Sequence, residues 1–185
     1  MNEEYYLDLN IPFFTDALVD RLSDHANIAI STNQFHTYSG YTSTEKFVNI
    51  VSKEPTLKEL IDSCNCKANI TMMLLNPWFA MDIHIDDYYL DVRKTAILLP
   101  IIPDLDIANT NYYETKHDKH PFLTVSWKKG QPKILNVETH WHNVVNNAYW
   151  RGMLQISLDK TYYEVCDMIK TNTLFNGINC TVTTR

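Results

Sequence analysis

Hydrophobic and polar positions divide the chain into a helical first third and a strand-rich middle. Phe14, Leu18 and Leu22 recur at i, i+4 and i+8 behind Pro12. That spacing predicts one apolar stripe on a helix from Pro12 to His25. A second helix is expected over Thr44 to Val51. A third is expected over Pro55 to Ser63, with Leu57, Leu60 and Ile61 on one face. From Asn69 onward, short apolar or alternating segments are bounded by Pro, Asn, Asp and Gly, which is the pattern of many strands. Strands are expected over Ile70 to Leu75, Ala80 to Asp86, Arg93 to Ile101, Thr110 to Glu114, Phe122 to Trp127, Lys133 to Val137, His142 to Asn146 and Arg151 to Leu158. A last helix, Thr161 to Thr171, carries Val165, Met168 and Ile169 and precedes a short extended tail. Short strands behind a helical layer predict a closed or double-sheet architecture of the jelly-roll kind.

No repeat, low-complexity tract or linker divides the 185 residues, so one domain is expected over 1–185. Within it, 1–68 would be helical support, 69–159 the β core, and 160–185 the last helix and tail. A chain of this length buries roughly 70% of its unfolded surface, so neither metal nor disulfides are needed merely to hold a core.

Charge narrows the partners. Acidic residues outnumber basic ones, 22 to 16, and no run of Lys and Arg forms a basic stripe, which disfavours nucleic acid. The most apolar run, Ala96 to Ile102, is interrupted by Pro100 and is far short of the roughly 20 residues that span a bilayer. Met1 to Asn10 holds Glu3, Glu4 and Asp8 and no basic residue, unlike a secretory leader, so a cytoplasmic location is expected. Cys64 and Cys66 have one residue between them where zinc sites usually show two to four. With Cys166 and Cys180 they read as reduced, mostly buried thiols.

The densest chemistry lies in Met81-Asp82-Ile83-His84-Ile85-Asp86-Asp87-Tyr88. On a strand Asp82, His84 and Asp86 share a face, so an imidazole and a carboxylate can chelate one ion from a rigid element. Asp87 faces away, as a solvated or supporting group. Further on, His140 and His142 stand on one face of another segment, and Arg151 opens an apolar strand. A buried guanidinium there needs an anion, and a carboxylate paired through two hydrogen bonds would satisfy it. Trp78, Trp127, Trp141 and Trp150 are expected in core and pocket walls, since no interleaved basic residues accompany them. Taken singly, a histidine is more often a locally hydrogen-bonded structural residue. His25, His36, His117 and His120 are expected on helix ends or loops.

His84-x-Asp86, Arg93-Lys94-Thr95-Ala96-Ile97-Leu98-Leu99-Pro100-Ile101, Leu135-Asn136, His142-x-Val144-x-Asn146 and Arg151 through Ser157 together resemble the iron(II)- and 2-oxoglutarate-dependent oxygenases. The likeness is to the compact prolyl- and aspartyl-hydroxylase-like branch of bacteria and phages, over roughly residues 69–159. It implies a double-stranded β-helix, mainly β with flanking helices. Fe(II) would be held by His84, Asp86 and His142, the facial triad of two His and one carboxylate. The family pattern favours His142 over His140, which would then lie at the rim. Arg151 would pair with the distal carboxylate of 2-oxoglutarate, and Tyr112 or Tyr113 could donate a phenolic hydrogen bond to it. Dioxygen would be the second cosubstrate, with ascorbate as a candidate accessory reductant. The expected reaction is hydroxylation of a peptidyl or small-molecule substrate, with succinate and CO2 as coproducts. The competing readings are a non-redox, cupin-like metal-binding jelly roll serving as a ligand or assembly module, and a cupin-type sugar isomerase. No pattern in the sequence speaks to oligomeric state.

Overall fold

The structure, a computed structural model, describes residues 3–36, 45–86, 94–103 and 109–183. Arg93 and Asp87 therefore lie outside the described residues. In chain order the elements are β1 (Tyr6–Asn10), α1 (Asp16–Thr32), β2 (Glu45–Val48), α2 (Thr56–Ser63), β3 (Ala68–Leu75), β4 (Thr95–Ile102), β5 (Asn109–Tyr113), β6 (Leu123–Ser126), β7 (Lys133–Leu135), β8 (Trp141–Val145), β9 (Arg151–Leu158), α3 (Tyr162–Lys170) and β10 (Thr181–Val182). A seven-stranded sheet runs β10-β1-β7-β4-β9-β3-β2, and a three-stranded sheet runs β6-β5-β8. Residues 80–86 flank β8 through the bridges Ala80↔Val145 and His84↔His142. Apart from the adjacent pair β5 and β6, successive core segments thus alternate between the two sheets, which is the double-stranded β-helix.

The interior strand β9, between β4 and β3, shows why the large sheet has two cores. Leu154, Ile156 and Leu158 join one cluster with Ile70, Met72 and Leu74 of β3, Ile97, Leu99 and Ile101 of β4, and the apolar faces of the three helices. The alternate residue Met153 joins Tyr112, Val125, Trp127, Leu135 and Val137 between the sheets. The period of two places Arg151, Gln155 and Ser157 on that same inner side. Gly152 makes the layers fit: a Cβ there would meet Ile102 Cγ1 at 2.7 Å.

Four sequence expectations change. Helix α1 begins at Asp16, where the Thr15 hydroxyl accepts from Leu18 N, and continues past His25 to Thr32. Ala26 and Ala29, both fully buried, extend its stripe, and Asn33 ends it in the left-handed conformation. The helix expected over 44–51 is instead strand β2, antiparallel to β3 with Phe47 opposite Met73. The short run Phe-Val has no period that separates helix from strand, and the open edge of β3 decides it. The first 68 residues are therefore not purely helical, since β1 and β2 both extend the large sheet. Residues 80–86 form isolated bridges rather than a continuous strand. Helix α3 matches its expectation, with a Thr161–Glu164 capping box. Among the described residues no helix is long and apolar enough to cross a membrane.

Candidate metal centre

His84 and His142 are a hydrogen-bonded antiparallel pair. His84 N donates to His142 O at 2.9 Å and His142 N donates to His84 O at 2.8 Å. Opposed residues of such a pair point the same way, and the two rings lie 4.3 Å apart. Asp86 is two residues on, hence on the same face, with its own N–H on Val137 O at 3.1 Å. Its Oδ1 sits 3.3 Å from His84 Nε2 and 3.7 Å from His142 Nε2. One ligand atom from each of the three residues lies within 4.8 Å of the others. Donors about 2.1 Å from one ion and at right angles would be about 3 Å apart, so small side-chain adjustments suffice.

The supporting bonds set the imidazole tautomers. His84 Nδ1 lies 2.8 Å from Asp82 O, and His142 Nδ1 lies 3.2 Å from His140 O. A carbonyl oxygen only accepts, so each Nδ1 carries a proton, which leaves Nε2, the ring nitrogen nearer Asp86, as the atom that would ligate a metal. His142 is buried, while His84 and Asp86 keep 29% and 19% of their side chains exposed, leaving the cluster open on one side.

His140 is not part of this group. It shares the face of His142 but packs its ring 4.6 Å from that of Tyr5, and burial lowers its pKa against the opposing pull of Glu4. Tyr5 is held over the rim because the backbone around it is strapped to the core. Its carbonyl accepts from Tyr112 Oη and Asn136 N, both at 2.8 Å, while Glu3 O accepts from Tyr162 Oη at 2.7 Å.

Tyr112 lies opposite His142 in the register and on its face, with its hydroxyl committed to Tyr5. Burial, then the nearby charge of Asp86, raises its pKa. Tyr113 is not brought to the site. Its neighbour position on the strand turns it to the other face, where its hydroxyl donates to Asn143 Oδ1 at 3.3 Å. Two asparagines of the sequence pattern hold backbone. Asn146 Nδ2 donates to Asn76 O at 2.7 Å and Tyr149 O at 2.8 Å, and Asn136 Nδ2 donates to Glu4 O at 2.9 Å.

Arg151 is 3% exposed, and its Nε and Nη1 have no hydrogen-bond partner among the described residues. Its guanidinium lies 5.3 Å from the Trp127 ring centroid, and the Trp127 N–H donates to Thr110 Oγ1 at 3.2 Å. Burial alone pushes the Arg151 pKa down to about 9, so it is a cation at neutral pH without a matching anion among the described residues. A cation–π contact offers about 2 kcal/mol even when desolvated, less than the several kcal/mol that burying an ion costs. The guanidinium is therefore poised for a carboxylate that the described residues do not supply. The sequence reading did not anticipate a second buried cation, Lys133, which pairs with Asp8 and lies 6.0 Å from the same indole centroid. Its partner is a distant residue, so no local pattern announced it.

No protein-family model matches the chain, and no curated protein sequence matches it. Solved structures do. A prolyl-4-hydroxylase of Pseudomonas putida superposes with a TM-score of 0.57 at 12% identity, covering 85% of this chain and 94% of that one. A prolyl hydroxylase from Trichoplax adhaerens, in complex with a hypoxia-inducible-factor oxygen-degradation-domain peptide fragment, gives 0.62 at 12% identity, covering 89% and 88%. A non-heme alpha-ketoglutarate-dependent carbocyclase of nogalamycin biosynthesis gives 0.57 at 11% identity, covering 84% and 80%. The chain has the double-stranded β-helix fold of the 2-oxoglutarate- and Fe(II)-dependent oxygenases.

Proposed function

We propose that the protein is a non-haem Fe(II)- and 2-oxoglutarate-dependent dioxygenase that hydroxylates a peptidyl or small-molecule substrate. The observation that carries this reading is a buried Arg151, whose Nε and Nη1 have no hydrogen-bond partner among the described residues, on the inner side of the same fold that gathers His84, Asp86 and His142. A metal-binding jelly roll without a keto-acid cosubstrate has no use for that cation.

The residues fit the group. Two neutral imidazole nitrogens and a carboxylate suit Fe(II) and leave open positions. When bound, iron with 2-oxoglutarate and dioxygen supplies the oxidation of a C–H bond, releasing succinate and CO2. The chain does the rest. His84 and His142 keep their Nε2 lone pairs inward because Asp82 O and His140 O hold the Nδ1 protons. Asp86 contributes the one negative charge of the three ligands. Arg151 offers Nε–H and Nη1–H to the distal carboxylate, with Trp127 packed against its guanidinium. Tyr112, Val125 and Met153 line the space between the sheets and limit water there.

The test is anaerobic addition of Fe(II) and then 2-oxoglutarate to the full chain. A weak visible charge-transfer band that needs both components is expected, followed on admitting oxygen by succinate formation. A protein that binds Fe(II) yet gives no band with 2-oxoglutarate would make the non-redox reading correct.

A further inference from the structure

Outside the metal centre, the α2–β3 junction holds two thiols in contact. Cys64 Sγ lies 3.4 Å from Cys66 Sγ. In an extended chain, residues i and i+2 would stand about 6.6 Å apart. Here the chain bends at Asn65 and Cys66 and closes that gap. The backbone on both sides is pinned. Cys64 bridges Phe175, Asn65 N donates to Leu174 O at 2.9 Å, and Asn65 Nδ2 donates to Thr173 O at 2.6 Å. Lys67 N donates to Asp159 Oδ1 at 3.0 Å. Both thiols are half-buried, whereas Cys166 and Cys180 are 5% and 1% exposed.

The surroundings make the two sulfurs unequal. Cys64 caps the C-terminal end of α2, where the helix dipole disfavours negative charge, and the charge of Asp159 disfavours it further. The hydrogen bond from Cys66 nevertheless lowers Cys64 to about 7, against burial first and the charge of Asp159 second, while Cys66 is raised as the partner that keeps its proton. Burial raises the other two thiols, Cys180 to about 12.

We propose that Cys64 and Cys66 are a modification site for small-molecule disulfides, a reversible two-electron dithiol couple in which Cys64 takes the first sulfur and Cys66 closes the bond. The Cys64 thiolate attacks one sulfur of the small disulfide, forming a mixed disulfide and expelling one thiolate. Cys66 then loses its proton to solvent and attacks Cys64 Sγ, expelling the second thiolate. The protein is oxidised by two electrons and the small disulfide is reduced to two thiols. A ring this short is stiff, and strained disulfides are the easily reduced kind, so excess thiol reverses the reaction.

The test treats the reduced full chain with glutathione disulfide, quenches with acid, and locates modifications by peptide mass analysis. Wild type should lose two hydrogen atoms across Cys64 and Cys66 with no lasting adduct, and regain them in excess glutathione. Cys66→Ser, which keeps a hydroxyl donor, should accumulate one glutathione on Cys64. In Cys64→Ser, Cys66 should react about threefold more slowly at pH 7, because its smaller thiolate fraction outweighs its greater intrinsic nucleophilicity. Continued protection of Cys166 and Cys180 reports each variant as folded. Alkylation of Cys64 should show a midpoint near pH 7 in wild type and Cys66→Ser and a higher one in Cys66→Ala. A stable wild-type adduct without ring closure, or a Cys66→Ser protein that takes no glutathione on Cys64, would overturn the proposal. None of these readouts depends on iron or on oxygenase turnover.

Discussion

His84 and His142 exchange both of their main-chain hydrogen bonds, at 2.9 and 2.8 Å. This pairing, rather than any side-chain contact, aims two imidazoles at one point. A slip of one residue would turn His142 to the opposite face and bring His140 no closer to the correct register.

Replacing His84, Asp86 or His142 by Ala should each remove one of three donors. Losing a mere supporting contact to a metal ligand typically costs 10–100-fold in affinity, so direct removal is expected to cost more than about 100-fold. Anaerobic Fe(II) titration followed by calorimetry reads this out. Affinity within tenfold of wild type for any of the three would reassign that ligand.

Arg151→Met should act in opposite directions on two measurements. In the absence of cosubstrate the variant no longer buries a charge without an anion among the described residues, so its stability should equal or exceed that of wild type, by about 1–4 kcal/mol at most, read as a melting temperature no lower than that of wild type. The concentration of 2-oxoglutarate needed for binding should rise by a factor of about 30–5000, equivalent to about 2–5 kcal/mol. Unchanged 2-oxoglutarate binding would show that the distal carboxylate goes elsewhere.

Gly152→Ala should destabilise through overpacking. The new methyl carbon meets Ile102 Cγ1 at 2.7 Å and Leu74 Cδ2 at 3.3 Å, and neither strand can withdraw without disturbing β9. A loss of about 1–3 kcal/mol is expected, seen as a fall of several degrees in Tm. An unchanged Tm would mean that Ile102 repacks freely.

Glu54 links α1 to the start of α2. Arg21 Nε donates to Glu54 Oε2 at 2.8 Å and Thr56 Oγ1 donates to Oε1 at 2.6 Å. The Arg21 hydrogen bond, set against burial and joined by Thr56, holds this carboxyl below its ordinary value of 4.5. A depressed carboxyl contributes stability that is fully present above the ordinary value and is lost as pH falls through the folded one. Glu54→Gln should therefore melt lower than wild type at pH 7, and the difference should shrink below pH 4.5. Melting curves from pH 7 to pH 3 measure it; a gap constant across that range would count against the pair.

Much of this arrangement was legible locally. The alternation of β9, the two-residue spacing of His84 and Asp86, and the Thr161–Glu164 cap of α3 each depend on neighbours a few positions away, where backbone period dictates facing. Strand β2 is a four-residue edge strand with no period of its own and forms only where the edge of β3 is open, while β1, five residues long, is fixed as a strand by the distant partners β7 and β10 on its two sides.

The sequence by itself determined the element types of the β core, the shared face of His84 and Asp86, and the shared face of His140 and His142. Only the tertiary structure decided which of those two histidines meets Asp86, that Tyr113 turns away, that Tyr5 is strapped over the rim, and that Arg151 has no anion among the described residues while Lys133 has one. The physical reason is one of range. Side-chain facing follows from dihedral angles repeated along a few residues, whereas cross-strand register and ion pairing are settled when distant segments close on one another and exclude water.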